Sequence, residues 1–293
     1  MSITRAGGGD RTSEIRRVLI ALLGANVAVV WAKLAIGLGA GSLAVLGDAL
    51  HSTVDALNNV LALVVIRIAS QAPDEDHPYG HEKFETVGAL AIVGFMSITC
   101  FELVRDAVGR LAGHRESPML SDVQLAVLVC TLGVNVFVAW YETRRGRELE
   151  SDLLLADAAH TRADVAITVS VLLGMLLARQ GLTWADPVLA VLIALFIVRV
   201  AYRIFQRTIP VLVDARALPE ATIQRAAESV AGVKRAYGIR SRGGGGPHRY
   251  AEVTIGVDRH ADVETAHGIA DQVEEHLKRD LYINEVTVHI EPC

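Results

Sequence analysis

Cysteine, aromatic residues and surplus basic charge are all scarce in this chain, and each shortage removes a class of function. Three cysteines occur in 293 residues. Cys100 and Cys130 fall inside apolar runs and Cys293 is the last residue, so no pair has redox or metal-knuckle spacing, which argues against a disulfide framework. Aromatics make up 5% and the formal net charge is −5; without a basic stripe or an aromatic-basic motif, nothing points to nucleic acid. The residue four after His81 is Glu85, so the HExxH pattern of zinc proteases is absent. The glycine run at 243–246 followed by Pro247 does not open a helix after a strand, which leaves a phosphate loop unsupported; it is expected to be a flexible hairpin connection.

Apolar sequence, by contrast, is abundant. Half the residues (52%) are hydrophobic and mean hydropathy is +0.36. They are gathered into six long blocks separated by charged clusters, at 16–37, 43–69, 86–108, 122–142, 153–178 and 186–206. About 20 residues of helix cross a ~30 Å hydrocarbon layer, so the sequence predicts a six-helix transmembrane domain over 1–209. The segment 210–293 reads as a separate C-terminal domain. The first block is too long for a signal-peptide core, and acids precede it, so it is expected to be a retained span. Arg5, Arg11, Arg16 and Arg17 precede span 1, Arg144, Arg145 and Arg147 follow span 4, and Arg203 and Arg207 follow span 6. The 1–2 connection has no basic residue and the 5–6 connection only Arg179; Arg110 and Arg115 between spans 3 and 4 run against the trend. The positive-inside rule places both termini in the cytoplasm.

One polar pattern appears twice inside these spans. Asp48-Ala-Leu-His51-Ser-Thr-Val-Asp55 in span 2 returns as Asp157-Ala-Ala-His160-Thr-Arg-Ala-Asp164 in span 5. At roughly 100° per residue, offsets 0, 3 and 7 fall within about 60° of arc, so each triplet lines one helix face. An Asp at a span centre costs roughly 2.5–3.5 kcal/mol, and four cost on the order of 10 kcal/mol unless compensated. A divalent metal is the natural compensator for paired His and Asp. His51, Asp55, His160 and Asp164 offer two imidazole nitrogens and two carboxylates, a set suited to a tetrahedral borderline ion, with Zn²⁺ ahead of Cd²⁺ or Co²⁺. Polar contacts that merely join helices are the alternative, but an identically spaced duplicate exceeds what they require. Asp48 and Asp157 are expected to support this quartet, by orienting the histidines or lining an ion path, and the stripe continues at offset 11 to Asn59 and Thr168. Spans 2 and 5 cross in opposite directions, the arrangement that brackets midplane sites in many transporters.

Three further groups stand outside the spans. Asp74, His77 and His81 in the 2–3 connection have the spacing for a second ion, and equally that of a solvated acidic loop, with Gly80 permitting a tight turn. In the C-terminal segment, helical character over 220–231, strands at 233–242 and 250–257, an amphipathic helix at 262–279 and a strand from Glu285 predict an αββαβ, ferredoxin-like or metallochaperone-like α+β fold. It carries His267 on its last helix, His289 and Glu291 on one face of its last strand, and His248 and His260 near turns, all of which read as well as ordinary surface groups. Lys83 and Asp214 flank the junction of the two domains and could form an ion pair, which at an exposed position contributes under about 1 kcal/mol.

Together these residues resemble the cation diffusion facilitator family over 14–292. The carriers are Gly41-Ser-Leu-Ala, His51-Ser-Thr-Val-Asp55, Asp74 with His77-Pro-Tyr-Gly-His81-Glu-Lys83, His160-Thr-Arg-Ala-Asp164, Ala266-His267 and His289-Ile-Glu-Pro. The resemblance implies a homodimer, a six-helix transport site in each subunit, alternating access and exchange of metal for protons. It maps His51, Asp55, His160 and Asp164 onto the transport site, Asp74, His77 and His81 onto an interfacial loop site, Lys83 and Asp214 onto a charge interlock, and His267, His289 and Glu291 onto part of a tail site. It links the two-His, two-Asp quartet with zinc. Tyr237 and Thr254 replace tail histidines of some bacterial relatives, and the His-rich loop between spans 4 and 5 of many eukaryotic members is missing. The expectation is therefore a bacterial inner-membrane exporter that exchanges Zn²⁺, as cargo and possible structural ion, for protons. A Mn, Fe, Co or Ni carrier is the alternative, with an intramembrane metalloenzyme or a metal sensor further off.

Overall fold

The computed structural model describes residues 8–39, 41–111, 121–182, 184–245 and 248–293. Arg5, Arg115, Gly246 and Pro247 lie outside the described residues. The chain divides into two compact units, Met1–Thr208 and Ile209–Cys293.

The first unit is built on six helices, each long and apolar enough to cross a membrane: α1 (Gly8–Gly39), α2 (Leu43–Ala69), α3 (Lys83–Leu111), α4 (Asp122–Glu148), α5 (Asp152–Arg179) and α6 (Ala185–Leu212). The helices outrun the apolar blocks, because backbone hydrogen bonding continues through flanking charged residues. Polar side chains supply the starts. Ser42 accepts from the Val45 amide ahead of α2, and Ser121 and Gln124 form a reciprocal capping box ahead of α4. A core of Ile15, Leu19 and Leu22 from α1, Ala62 and Ile66 from α2, Ile92 from α3, Val138 from α4, and Leu153 and Leu154 from α5 ties the bundle together. Large apolar side chains such as Trp31, Leu50, Phe101, Phe137 and Leu195 face outward, which is the pattern hydrocarbon solvent stabilises.

The α1–α2 seam is unusually close at one point. A Cβ on Gly37 would lie 2.8 Å from Leu46 Cδ2 and 3.2 Å from its backbone nitrogen, so only glycine permits that approach. At the end where α3 begins and α4 and α5 join, Arg11 of α1 pairs with Glu85 of α3 at 3.1 Å and donates to the Leu149 carbonyl at 2.7 Å.

The second unit has the order α7 (Glu220–Glu228), β1 (Arg235–Gly245), β2 (His248–Val257), α8 (Val263–Leu281) and β3 (Glu285–Pro292), the αββαβ fold expected from the sequence. The sheet order is β1-β2-β3, with β1–β2 antiparallel and β2–β3 parallel across the α8 connection. Alternation sends Ala251, Val253 and Ile255 of β2 into a core with Ile223 and Ala227 of α7 and Val273 and Leu277 of α8. One detail departs from the sequence reading: β1 runs into the glycine stretch, with Gly243 opposite Arg249 and Gly245 opposite His248. Ladder bonding to β2 orders glycines that composition alone marks as loop.

Candidate metal site

Helices α2 and α5 position the repeated motif. Asp55, His160 and Asp164 offer ligand atoms that all lie within 4.8 Å of one another. His160 Nε2 is 3.6 Å from Asp55 Oδ1 on the facing helix and 3.7 Å from Asp164 Oδ2 one turn along its own. His160 is buried and both carboxylates are half-buried. Three negative or dipolar atoms converging on a shared point in a span are stabilised by a cation between them. His51 is not drawn into this group. It is exposed, though it remains an electrostatic neighbour of Asp164.

Of the residues expected to support the quartet, Asp48 pairs with α1, its Oδ2 2.8 Å from Lys33 Nζ. Asp157 is buried with its Oδ2 unbonded, and the buried Asn59 leaves Nδ2 without a partner. The neighbouring Asn58 makes the contact instead, with Nδ2 3.3 Å from His160 Nε2. Asn58, Lys33, Ser52 and Glu142 were missed in the sequence. Lys33 could have been found, since it is the sole charge between Val18 and Gly37. Glu142 is buried on α4 and accepts from Thr161 Oγ at 3.1 Å, tying α4 to the residue beside His160.

The loop before α3 forms the second group of possible ligands, Asp74, His77 and His81. Asp74 Oδ1 accepts from the His77 amide at 2.7 Å and lies 3.1 Å from its Nδ1. Asp74 Oδ2 lies 3.3 Å from His81 Nε2. Gly80, at φ +82°, donates its amide to the His77 carbonyl at 2.9 Å, closing a turn that a side chain would strain. The His77 backbone amide is the largest influence holding the Asp74 carboxyl below its ordinary range, and the two imidazoles add to it. The His77 and His81 rings lie 4.2 Å apart, and His81 Nδ1 is buried without a partner.

Tail candidates are dispersed. Among the described residues, His267, His289 and Glu291 form no group of three possible ligands. His267 is exposed beside Asp271, and His289 Nε2 lies 3.8 Å from Glu291 Oε1. Tyr237, Thr254 and His289 occupy one row across the sheet, and the Tyr237 hydroxyl donates to Glu291 Oε2. That bond is the main cause of the upward shift of the Tyr237 hydroxyl's pKa. Lys83 opens α3, and Asp214, at φ +53°, lies 3.4 Å from Arg242 within the second unit.

Comparison with known proteins accounts for both units. Residues 19–213 match the model of the cation efflux transmembrane domain, and 217–293 match that of the cation efflux protein cytoplasmic domain. The manganese efflux system protein MneS of Bacillus subtilis is 29% identical over 262 residues, 89% of each chain. The cation-efflux pump FieF of Salmonella paratyphi A is 30% identical over 261 residues, 86% of this chain and 84% of that one. A solved MamM-CTD structure, 32% identical, covers 25% of this chain and 94% of its own, with a TM-score of 0.24. The chain belongs to the cation diffusion facilitator family of divalent-cation efflux transporters.

Proposed function

We propose that this transporter exports Zn²⁺ in exchange for protons, as a homodimer in a bacterial cytoplasmic membrane with both termini inside. The convergence of Asp55 and Asp164 on His160 Nε2 carries the reading. Zinc bonds of ~2.0–2.1 Å give a tetrahedron with edges of about 3.3–3.4 Å, and separations of 3.6 and 3.7 Å need only a few tenths of contraction. His51 is the fourth ligand, swinging in from its exposed position when metal arrives. Imidazole and carboxylate bind metal only when deprotonated, so loading releases protons and protonation expels the ion. Asp74, His77 and His81 are the second, structural zinc site, and Lys83 with Asp214 the charge interlock of the dimer. Support for the dimer comes from the family to which the tail belongs.

A manganese carrier is the second reading. Two carboxylates around one imidazole, with His51 outside the group, make an oxygen-richer set than two His and two Asp, and a relative is named for manganese efflux. The deciding experiment is a proteoliposome flux panel across Zn, Cd, Mn, Fe, Co and Ni with internal pH recorded, beside His160→Ala and Asp164→Ala. Zinc flux accompanied by counter-movement of protons, absent from both variants, is expected. Manganese flux exceeding zinc, or zinc flux with no pH change, overturns the proposal.

A further inference from the structure

Arg162 stands inside the repeated motif but faces away from the metal group. It is two residues from His160 and two from Asp164, about 160° of arc from each, and its side chain is exposed. A face of a span left bare by the bundle meets lipid, where a guanidinium is costly unless something neutralises it. Its Nε donates to the Ala158 carbonyl at 3.0 Å, one turn back along α5. The side chain therefore bends toward the end where α4 and α5 join, which is the direction of the headgroups. It lines a groove of about 660 Å³ between α4 and α5, walled by Val136, Ala139 and Val165 and reaching Arg144 and Arg147.

Charge in this groove is unbalanced. Glu148 is the one carboxylate lining it, and it serves both Arg144 at 2.9 Å and Arg145 at 2.8 Å. Arg147 and Arg162 have no ion pair among the described residues, and Arg147 is an electrostatic neighbour of Arg162. Glu142 also acts on Arg162, but less than the like charge of Arg147 does, and it is buried and already accepts from Thr161. Trp140 lies exposed along the same groove, with the Arg144 guanidinium 5.8 Å from its ring centroid; tryptophan marks the headgroup level of a span. Guanidiniums left without a carboxylate are suited to a phosphate diester, which they hold through paired N–H donors, and the apolar wall beyond them suits an acyl chain. We propose that this groove binds an anionic phospholipid, its phosphate between Arg147 and Arg162 and its chain along Val136 and Val165. The lipid would rest on the outer face of the hairpin that carries His160 and Asp164, and its binding is independent of which metal is transported.

The test uses the full chain in detergent, with bound lipid counted by native mass spectrometry during titration with dioleoyl phosphatidylglycerol, dioleoyl phosphatidylcholine or inorganic phosphate. Phosphatidylglycerol is expected to bind at least about 10-fold more tightly than phosphatidylcholine, and inorganic phosphate not to displace it. Arg147→Gln and Arg162→Gln are each expected to weaken phosphatidylglycerol binding about 5-fold, and the double variant on the order of 20-fold. Arg203→Gln removes the same charge from α6, outside the groove, and should leave binding within about twofold. Arg147 has no partner within the protein to lose, so Arg147→Gln decides the matter even where Arg162→Gln folds poorly. Equal binding of the two lipids, or displacement by inorganic phosphate, overturns the proposal. So does an equal loss in Arg203→Gln, which would show attraction to surface charge alone. A double variant that keeps its lipid but loses its dimer would place a second copy of the chain in the groove and overturns it as well.

Discussion

His160 Nε2 stands 3.6 Å from Asp55 Oδ1 on another helix and nearly as close, at 3.7 Å, to Asp164 on its own. One nitrogen thus joins the two copies of the repeated pattern. An asymmetry between the two histidines follows, because His51 is exposed and outside this group. His160→Ala is expected to weaken zinc binding by more than about 100-fold, and His51→Ala by about 10-fold, a water replacing its ring. Calorimetry on the purified chain measures both, and equal losses would place His51 in the preformed site.

Asn58 and Asn59 make a second contrast. Asn58 reaches His160 Nε2, whereas Asn59 is buried with its amide nitrogen unbonded. A donor on Nε2 occupies the lone pair that an ion between Asp55 and Asp164 would take, so Asn58 competes with the metal rather than orienting the ring. Asn58→Ala is expected to strengthen metal binding by about 5-fold, the contribution of one hydrogen bond, while Asn59→Ala leaves it within about threefold. Parallel zinc titrations of the two variants check the assignment, and reversed effects would contradict it.

The same pair shows how far a sequence can be read. The six spans, the tail's αββαβ order and the repeated motif follow from periodicities of 3.6 and 2, which local sequence carries. Offset counting along a lone helix selected Asn59, because it extends the polar stripe; the crossing of α2 and α5 selects Asn58 instead. Glu142 begins a charged run that resembles the end of a span, yet α4 continues to Glu148 and leaves that carboxylate buried. Lys33 was visible as a lone charge, but its pairing with Asp48 depends on the close approach at Gly37, a tertiary fact.

The loop at Asp74 should be insensitive to mild acid. Its carboxyl is held below the ordinary range, first by the His77 amide. A depressed carboxylate stabilises the fold above its unfolded pKa, near ~3.9, and that contribution disappears as pH falls through the lower folded value. Protection of the His77 amide from hydrogen exchange is therefore expected to persist at pH 5 and to disappear in stronger acid. Asp74→Ala should lack it throughout. Asp74→Asn, which keeps an acceptor oxygen but cannot ionise, should keep a weaker protection without the acid transition. Loss of protection near pH 5 in the wild type would show that the carboxylate does not hold the turn.

The Tyr237 hydroxyl holds a carboxylate that a metal in the tail would need. Its hydroxyl donates to Glu291 Oε2, and His289 lies 3.8 Å from the other carboxylate oxygen. A metal ion at His289 and Glu291 must compete with that hydrogen bond, and Thr254, between Tyr237 and His289 in the sheet, offers no imidazole. Tyr237→Phe removes the donor without moving the ring, so it should strengthen tail zinc binding by a few-fold, about what one hydrogen bond to a charged group contributes when partly exposed to water. Tyr237→His adds a nitrogen ligand on the same row and should strengthen it further, by about 10-fold or more. Both are measured in a His160→Ala background, so that the transmembrane group is silent, with His289→Ala as the reference for no tail binding. If Tyr237→Phe leaves the titration unchanged while Tyr237→His sharpens it, ligand number limits the tail; if neither does, His289 and Glu291 are surface groups and nothing more.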